Sequence, residues 1–121
     1  MTNYKTELGQ RGEEAAACFL ERQGYEVVER NYRCRYGEID IIARKDGVVA
    51  FVEVKTRTSL NYDSPAAAVN YLKQQKIRTT ALTWLQTQER IYEELSFDVV
   101  EIMTAGTAAK QAKLRWLKGC F

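Results

Sequence analysis

The chain has 121 residues, 45% apolar and 28% charged, with a formal net charge of +2 and no histidine. That suits one domain over residues 1–121 with its own core. No apolar run approaches the roughly 18 residues of a membrane span, and Met1-Thr2-Asn3-Tyr4-Lys5 lacks the apolar stretch of a secretory signal, so a soluble cytoplasmic protein with no membrane contact is expected.

The elements follow in chain order. Leu8, Ala15, Ala16, Phe19 and Leu20 recur at helical spacing and predict a helix over 7–23, stopped by Gly24, with Cys18 packed on it as a small apolar residue. A loosely alternating strand is expected over 25–32 and a polar turn over 31–37. A second strand over 38–44, an Asp46-Gly47 hairpin turn and a third strand over 48–55 come next. After a polar loop over 56–63, Ser64 as N-cap and Pro65 at the first position predict a long helix ending near Arg90. Its stripe is Val69, Leu72, Ile77, Ala81, Trp84 and Leu85. Residues 95–103 read as a fourth strand, 104–109 as a small-residue loop, and 112–118 as a basic strand or tail. Helix, three strands, helix and one or two strands predict an α/β fold with a mixed central sheet flanked by helices.

Charges inside the apolar strands are the functional signal. Asp40 follows Gly37-Glu38-Ile39, and Glu53 and Lys55 end the run from Val48 to Lys55. A charge buried without a partner costs several kcal/mol or more, so a carboxylate pair with a lysine there implies a site or a structural salt bridge. Strand alternation puts Glu53 and Lys55 on one face, roughly 6.6 Å apart, and Glu38 and Asp40 on one face of the second strand. The tight hairpin sets residues near 40 across from residues near 53. E-x-K alone favours the salt bridge; Asp40 and the hairpin together favour a site. Asp40 and Glu53 can then hold one hard cation, with the Val54 carbonyl as a third oxygen and Lys55 beside the attacking water. Without histidine, and with Cys18, Cys34 and Cys120 forming no C-x-x-C pair, neither Ser-His catalysis nor a zinc site is expected. Oxygen ligands favour Mg²⁺ or Mn²⁺.

Asp40 with Glu53-Val54-Lys55 resembles the motif of the PD-(D/E)xK nuclease superfamily, whose helix, three-strand meander, helix and strand core implies a restriction-endonuclease-like αβββαβ fold. Gly12-Glu13, Gly24-Tyr25, the stretch Asn31-Tyr32-Arg33-Cys34-Arg35-Tyr36-Gly37-Glu38-Ile39-Asp40-Ile41-Ile42-Ala43, and Phe51-Val52-Glu53-Val54-Lys55-Thr56-Arg57 are similar to the YraN-like bacterial family. The chain is also similar to the archaeal Holliday-junction resolvases. That resemblance implies that Glu13 joins Asp40 and Glu53 as a third carboxylate, bound to metal directly or through water; a solvated helix charge is the alternative. Ile39 stands where many superfamily members have proline. Asp98 lies in a Phe-Asp-Val stretch similar to the family's, with a structural ion pair expected there rather than catalysis.

The expected function is metal-dependent hydrolysis of DNA phosphodiesters, branched or damaged DNA included. Arg33, Arg35, Arg57, Lys73, Gln75 and Lys76 are the candidate nucleic-acid contacts, touching phosphates rather than reading sequence. A single small domain covers little DNA, so a homodimer is compatible. The alternatives are a catalytically silent nucleic-acid-binding module and a protein-interaction adaptor on the same fold.

Overall fold

Asp46 and Gly47 carry φ of 51° and 85°, the left-handed pair that a two-residue hairpin needs to follow strand twist; Gly47 adopts it without a Cβ penalty. The computed structural model describes residues 4–57, 70–103 and 113–121, and side chains from Gln10 onward except that of Arg57. Its elements are α1 (Tyr4–Arg22), β1 (Glu26–Cys34), β2 (Gly37–Lys45), β3 (Val48–Arg57), α2 (Tyr71–Gln86), β4 (Glu94–Met103) and β5 (Lys113–Leu117).

The strands form one mixed sheet in the order β1-β2-β3-β4-β5. Every neighbouring pair is antiparallel except β3 with β4, which run parallel. A parallel pair cannot be joined by a hairpin, and α2 lies in the crossover. The fold is α/β, two helices flanking a five-stranded sheet, consistent with a restriction-endonuclease-like fold.

The core has two layers. Under α2, Ile42, Phe51, Phe97 and Val99 meet Ile77, Ala81 and Trp84. Under α1, Ile41, Ala43, Ala50, Val52, Val100 and Ile102 meet Ala16, Ala17 and Leu20. Strands buried on both faces read as continuous apolar runs, which is why β2 and β3 look so apolar in the sequence. Gly12 brings α1 close to the sheet: a Cβ there would stand 2.1 Å from Thr56 Oγ1.

Several boundaries and faces differ from expectation. α2 is N-capped by Asn70, whose side chain accepts the Lys73 amide hydrogen, and is closed by the C-cap Thr87, short of Arg90. Thr56 and Arg57, expected to begin a loop over 56–63, extend β3 instead; the rest of that loop, Ser64, Pro65, Val69, the loop over 104–109 and the side chain of Leu8 lie outside the described residues. Leu72 is exposed rather than buried, and Thr80 takes a buried place on the helix. Cys18 is exposed: at 100° per residue it points about 200° from Ala16, away from the sheet. Ala15 is exposed too, and Ala17 is buried in its stead.

Candidate metal centre and its flanks

The β2–β3 ladder pairs Ile42 with Phe51 and ends at Ile41 with Val52. One step further in the same register brings Asp40 and Glu53 together. The Val54 amide donates to Asp40 Oδ2 at 2.8 Å, so a side chain takes over where the ladder stops. A strand residue's N–H and C=O point to the same edge, so the Val54 carbonyl lies on that edge as well.

Glu53 is 8% exposed and within hydrogen-bond reach of Asp40. Its Oε2 lies 3.7 Å from Lys55 Nζ and 2.5 Å from Lys73 Nζ. Burial, then the Glu53 charge, push the Asp40 carboxyl up to about 8 against the hydrogen bond from Val54; Glu13 adds to the push. Burial and the neighbouring Lys73 ammonium hold Lys55 below its ordinary value, with Glu53 and Asp40 pulling the other way. Burial also raises Glu13, opposed by Asn31 and Arg30 and aided by Glu38 and Glu53. Two acids pressed together, a third in electrostatic contact and two ammonium groups therefore form one cluster at the carboxyl end of β3.

α1 and α2 pack on opposite faces of the sheet, and both reach this cluster. Ile39 packs under α2, yet Ile41, two residues on, packs under α1. Strict alternation would have put both on one face, so the expectation that Glu38 and Asp40 share a face by simple alternation does not survive here. In β1 the paired residues behave the same way. Tyr32 packs under α2, while Arg30 turns to α1, where its Nη1 meets Glu14 Oε2 at 2.7 Å. Asn31 stands between them with φ of 54°. Its side chain hydrogen-bonds Glu13. The left-handed residue breaks the alternation beside Asp40.

The donors that could hold a hard divalent cation are carboxylate oxygens from Asp40 and Glu53 and the Val54 carbonyl edge; Glu13 bears on Asp40 through its charge. Among the described residues no group of three or more Asp, Glu or Cys side chains is placed to hold a metal ion. An ion held by two carboxylates that keeps several waters matches the habits of Mg²⁺.

The candidate nucleic-acid contacts divide. The tip of the β1–β2 hairpin meets α2: a Cβ on Gly37 would lie 3.1 Å from Thr80 Oγ1 and 3.8 Å from Lys76 Cβ. Arg33, Arg35, Gln75 and Lys76 are exposed; Lys76 stands at this contact, while Arg33 lies toward Glu13 of α1. Arg33 is ion-paired with Glu38, and the Arg35 guanidinium lies 5.1 Å from the centre of the Tyr36 ring. The Arg57 side chain lies outside the described residues. Lys73, part exposed, reaches the acid cluster, with its Nζ 2.5 Å from Glu53 Oε2. Sequence reasoning missed its role, along with that of Asn31. The one available hint was an asparagine, the non-glycine residue most tolerant of left-handed backbone, inside a strand.

Asp98 corrects a second expectation. It is fully buried, and its partners among the described residues are neutral donors, not a cation. Ser96 Oγ donates at 2.5 Å, Trp116 Nε1 at 3.0 Å and the Gly119 amide at 2.9 Å. It fastens residues 116–119 to β4. The neighbouring buried acid Glu101 does meet a cation, Arg115 Nη2, at 2.9 Å.

A family model described as "Uncharacterised protein family UPF0102" matches residues 12–102, the span that holds Glu13, Asp40, Glu53, Lys55 and Lys73. A UPF0102 protein of Nocardia farcinica is 52% identical over 103 residues, covering 84% of this chain and 81% of that one. One from Geobacter metallireducens is 47% identical over 106 residues, covering 88% and 87%. One from Alkaliphilus metalliredigens is 40% identical over 114 residues, covering 94% and 96%. The chain thus belongs to the UPF0102 family, the YraN-like family that its Gly37–Ala43 and Phe51–Arg57 motifs resemble.

Proposed function

We propose that this protein is a metal-dependent, endonuclease-like hydrolase of DNA phosphodiester bonds within the PD-(D/E)xK superfamily. The observation that carries the reading is the contact between the Asp40 and Glu53 carboxylates beside Val54, with Lys55 against Glu53. Mg²⁺ or Mn²⁺ bound there would polarise the scissile phosphate and stabilise its developing charge. Asp40 and Glu53 would hold the cation through their oxygens, with Glu13 supporting the site. Lys55, kept below its ordinary ammonium range, orients the attacking water or takes its proton. The water oxygen bonds to phosphorus as the bond to the departing ester oxygen breaks, and a solvent proton completes the leaving alcohol. Arg33, Arg35 and Lys76 hold phosphates, so binding weakens steeply with salt. A cytoplasmic location, a homodimer and branched or damaged DNA as substrate belong to the same proposal.

The test is cleavage of linear, supercoiled and branched DNA with Mg²⁺ or Mn²⁺. Asp40→Asn, Glu53→Gln and Lys55→Met should each lower the rate about 100-fold or more, the scale on which positioned catalytic groups act. No cleavage of any DNA, with no metal bound in calorimetry, overturns the reading. The ion pairs that Glu53 makes with Lys73 and Lys55 favour a second reading, a catalytically silent nucleic-acid-binding module. It requires salt-sensitive DNA binding that Asp40→Asn leaves unchanged, and no cleavage.

A further inference from the structure

Lys73 sits on the first turn of α2, where a basic side chain is ordinarily solvated, yet its ammonium lies against Glu53 Oε2. The helix start sets this up. Asn70 Oδ1 accepts the Lys73 amide hydrogen at 2.9 Å, so the cap that begins α2 also fixes the backbone from which Lys73 reaches the sheet. Lys55 addresses the same carboxylate oxygen from 3.7 Å. One nearly buried oxygen therefore faces two ammonium groups.

A divalent cation on Glu53 would bring a larger positive charge to that oxygen, and one ammonium must give way. Lys55 is tethered to the same strand two residues away, and its side chain is the more buried of the two at 28% exposed. Lys73 comes from a separate element, and its side chain is 39% exposed. It has a flexible four-carbon stem and a hydrated alternative. Lys73 is the group that can leave.

We propose that Lys73 is an exchangeable counter-ion: it and a divalent cation compete for Glu53, and the cation releases Lys73 to the solvent side of the site, where it meets a phosphate of the nucleic acid. The inference rests on the metal-dependent reading above and adds an order to it. Cation binding comes first and creates a phosphate contact. Lys73 is then a positioning residue for Glu53 in one state and a substrate contact in the other.

Two measurements on the full chain test this. The first is Mn²⁺ calorimetry. Lys73→Met should bind Mn²⁺ about tenfold more tightly than the unaltered protein, within the usual range for two coupled binding events; Lys73→Arg, which keeps the charge, should stay near it. The second is pulse acetylation with acetic anhydride, read by mass spectrometry. Lys73 should be slow to react without Mn²⁺ and several-fold faster with it. Equal Mn²⁺ affinity in Lys73→Met and the unaltered protein, or Lys73 acetylation indifferent to Mn²⁺, overturns the exchange while leaving the metal site standing. No Mn²⁺ binding in either protein overturns both.

Discussion

Asp40 Oδ2 accepts the Val54 amide hydrogen at the point where the β2–β3 ladder ends. The side chain thus does the work of a strand carbonyl while pressed against Glu53. Its carboxyl is pushed up to about 8 from an ordinary value near 4, so between those limits the folded chain binds a proton that the unfolded chain has lost. Stability falls as pH rises through that window, by up to about 1.4 kcal/mol per pH unit from this group. The contribution is complete below about pH 4 and gone above about pH 8; Glu13, also raised, acts in the same direction. Urea denaturation at pH 5, 6, 7 and 8 should show the decline, and Asp40→Asn should flatten it. An unchanged slope in Asp40→Asn would refute this account of the carboxyl.

Gly12 and Thr56 make a tight helix–strand contact. A Cβ on Gly12 would lie 2.1 Å from Thr56 Oγ1 and 3.5 Å from Thr56 Cβ. Gly12→Ala should destabilise the fold by about 1–3 kcal/mol, the usual cost of overpacking. Thr56→Ala in the same chain removes the hydroxyl that clashes and should restore most of the loss. Strictly additive effects in the double-mutant cycle would disprove the contact.

Asp98 gathers three neutral donors, two of them from residues 116 and 119. Asp98→Ala removes the acceptor of the half-buried Trp116 indole, at about 1–3 kcal/mol, while the exposed Gly119 amide can turn to water. Limited proteolysis should then cut near the C-terminal strand while the rest of the sheet stays protected. Ser96→Ala, which removes one donor and leaves the carboxylate, should cost about 1 kcal/mol or less. Uniform loss of protection across the whole chain would count against a local clamp.

Asn31 combines φ of 54° with a hydrogen bond to Glu13. Asn31→Val puts a β-branched residue in left-handed backbone and should cost about 1–2 kcal/mol. Asn31→Gly keeps the backbone but removes the amide that lowers Glu13, so the Glu13 carboxyl should rise further, as NMR titration of its side-chain carbon would read. An unmoved Glu13 in Asn31→Gly would show that the amide does not hold it.

The sequence discloses this fold unevenly, and the reason is locality. Asp46-Gly47 announces its hairpin because the turn's dihedrals demand those residues. The hairpin in turn brings Asp40 and Glu53 together, so the acid pair was legible. The start of α2 was not: Asn70 caps it, a residue not singled out in the sequence, while Ser64 and Pro65 lie outside the described residues. Lys73 looked like any surface charge because its partner lies 20 positions earlier on a strand. Asp98 looked like half an ion pair because its donors arrive 18 and 21 residues later. The broken alternation at Arg30 and Tyr32 goes with one left-handed dihedral, at Asn31, that no periodicity reports.

That dihedral makes the two coats of the molecule answerable to each other. Arg30 and Glu14 face the α1 side, turned away from the hairpin–α2 contact where Lys76 stands, yet Arg30 acts on Glu13, and Glu13 acts on Asp40. The half-buried Arg30, paired with Glu14, therefore sets part of the charge balance of the acid cluster. The back of this small protein is wired to its front, and substitutions there should not be presumed silent.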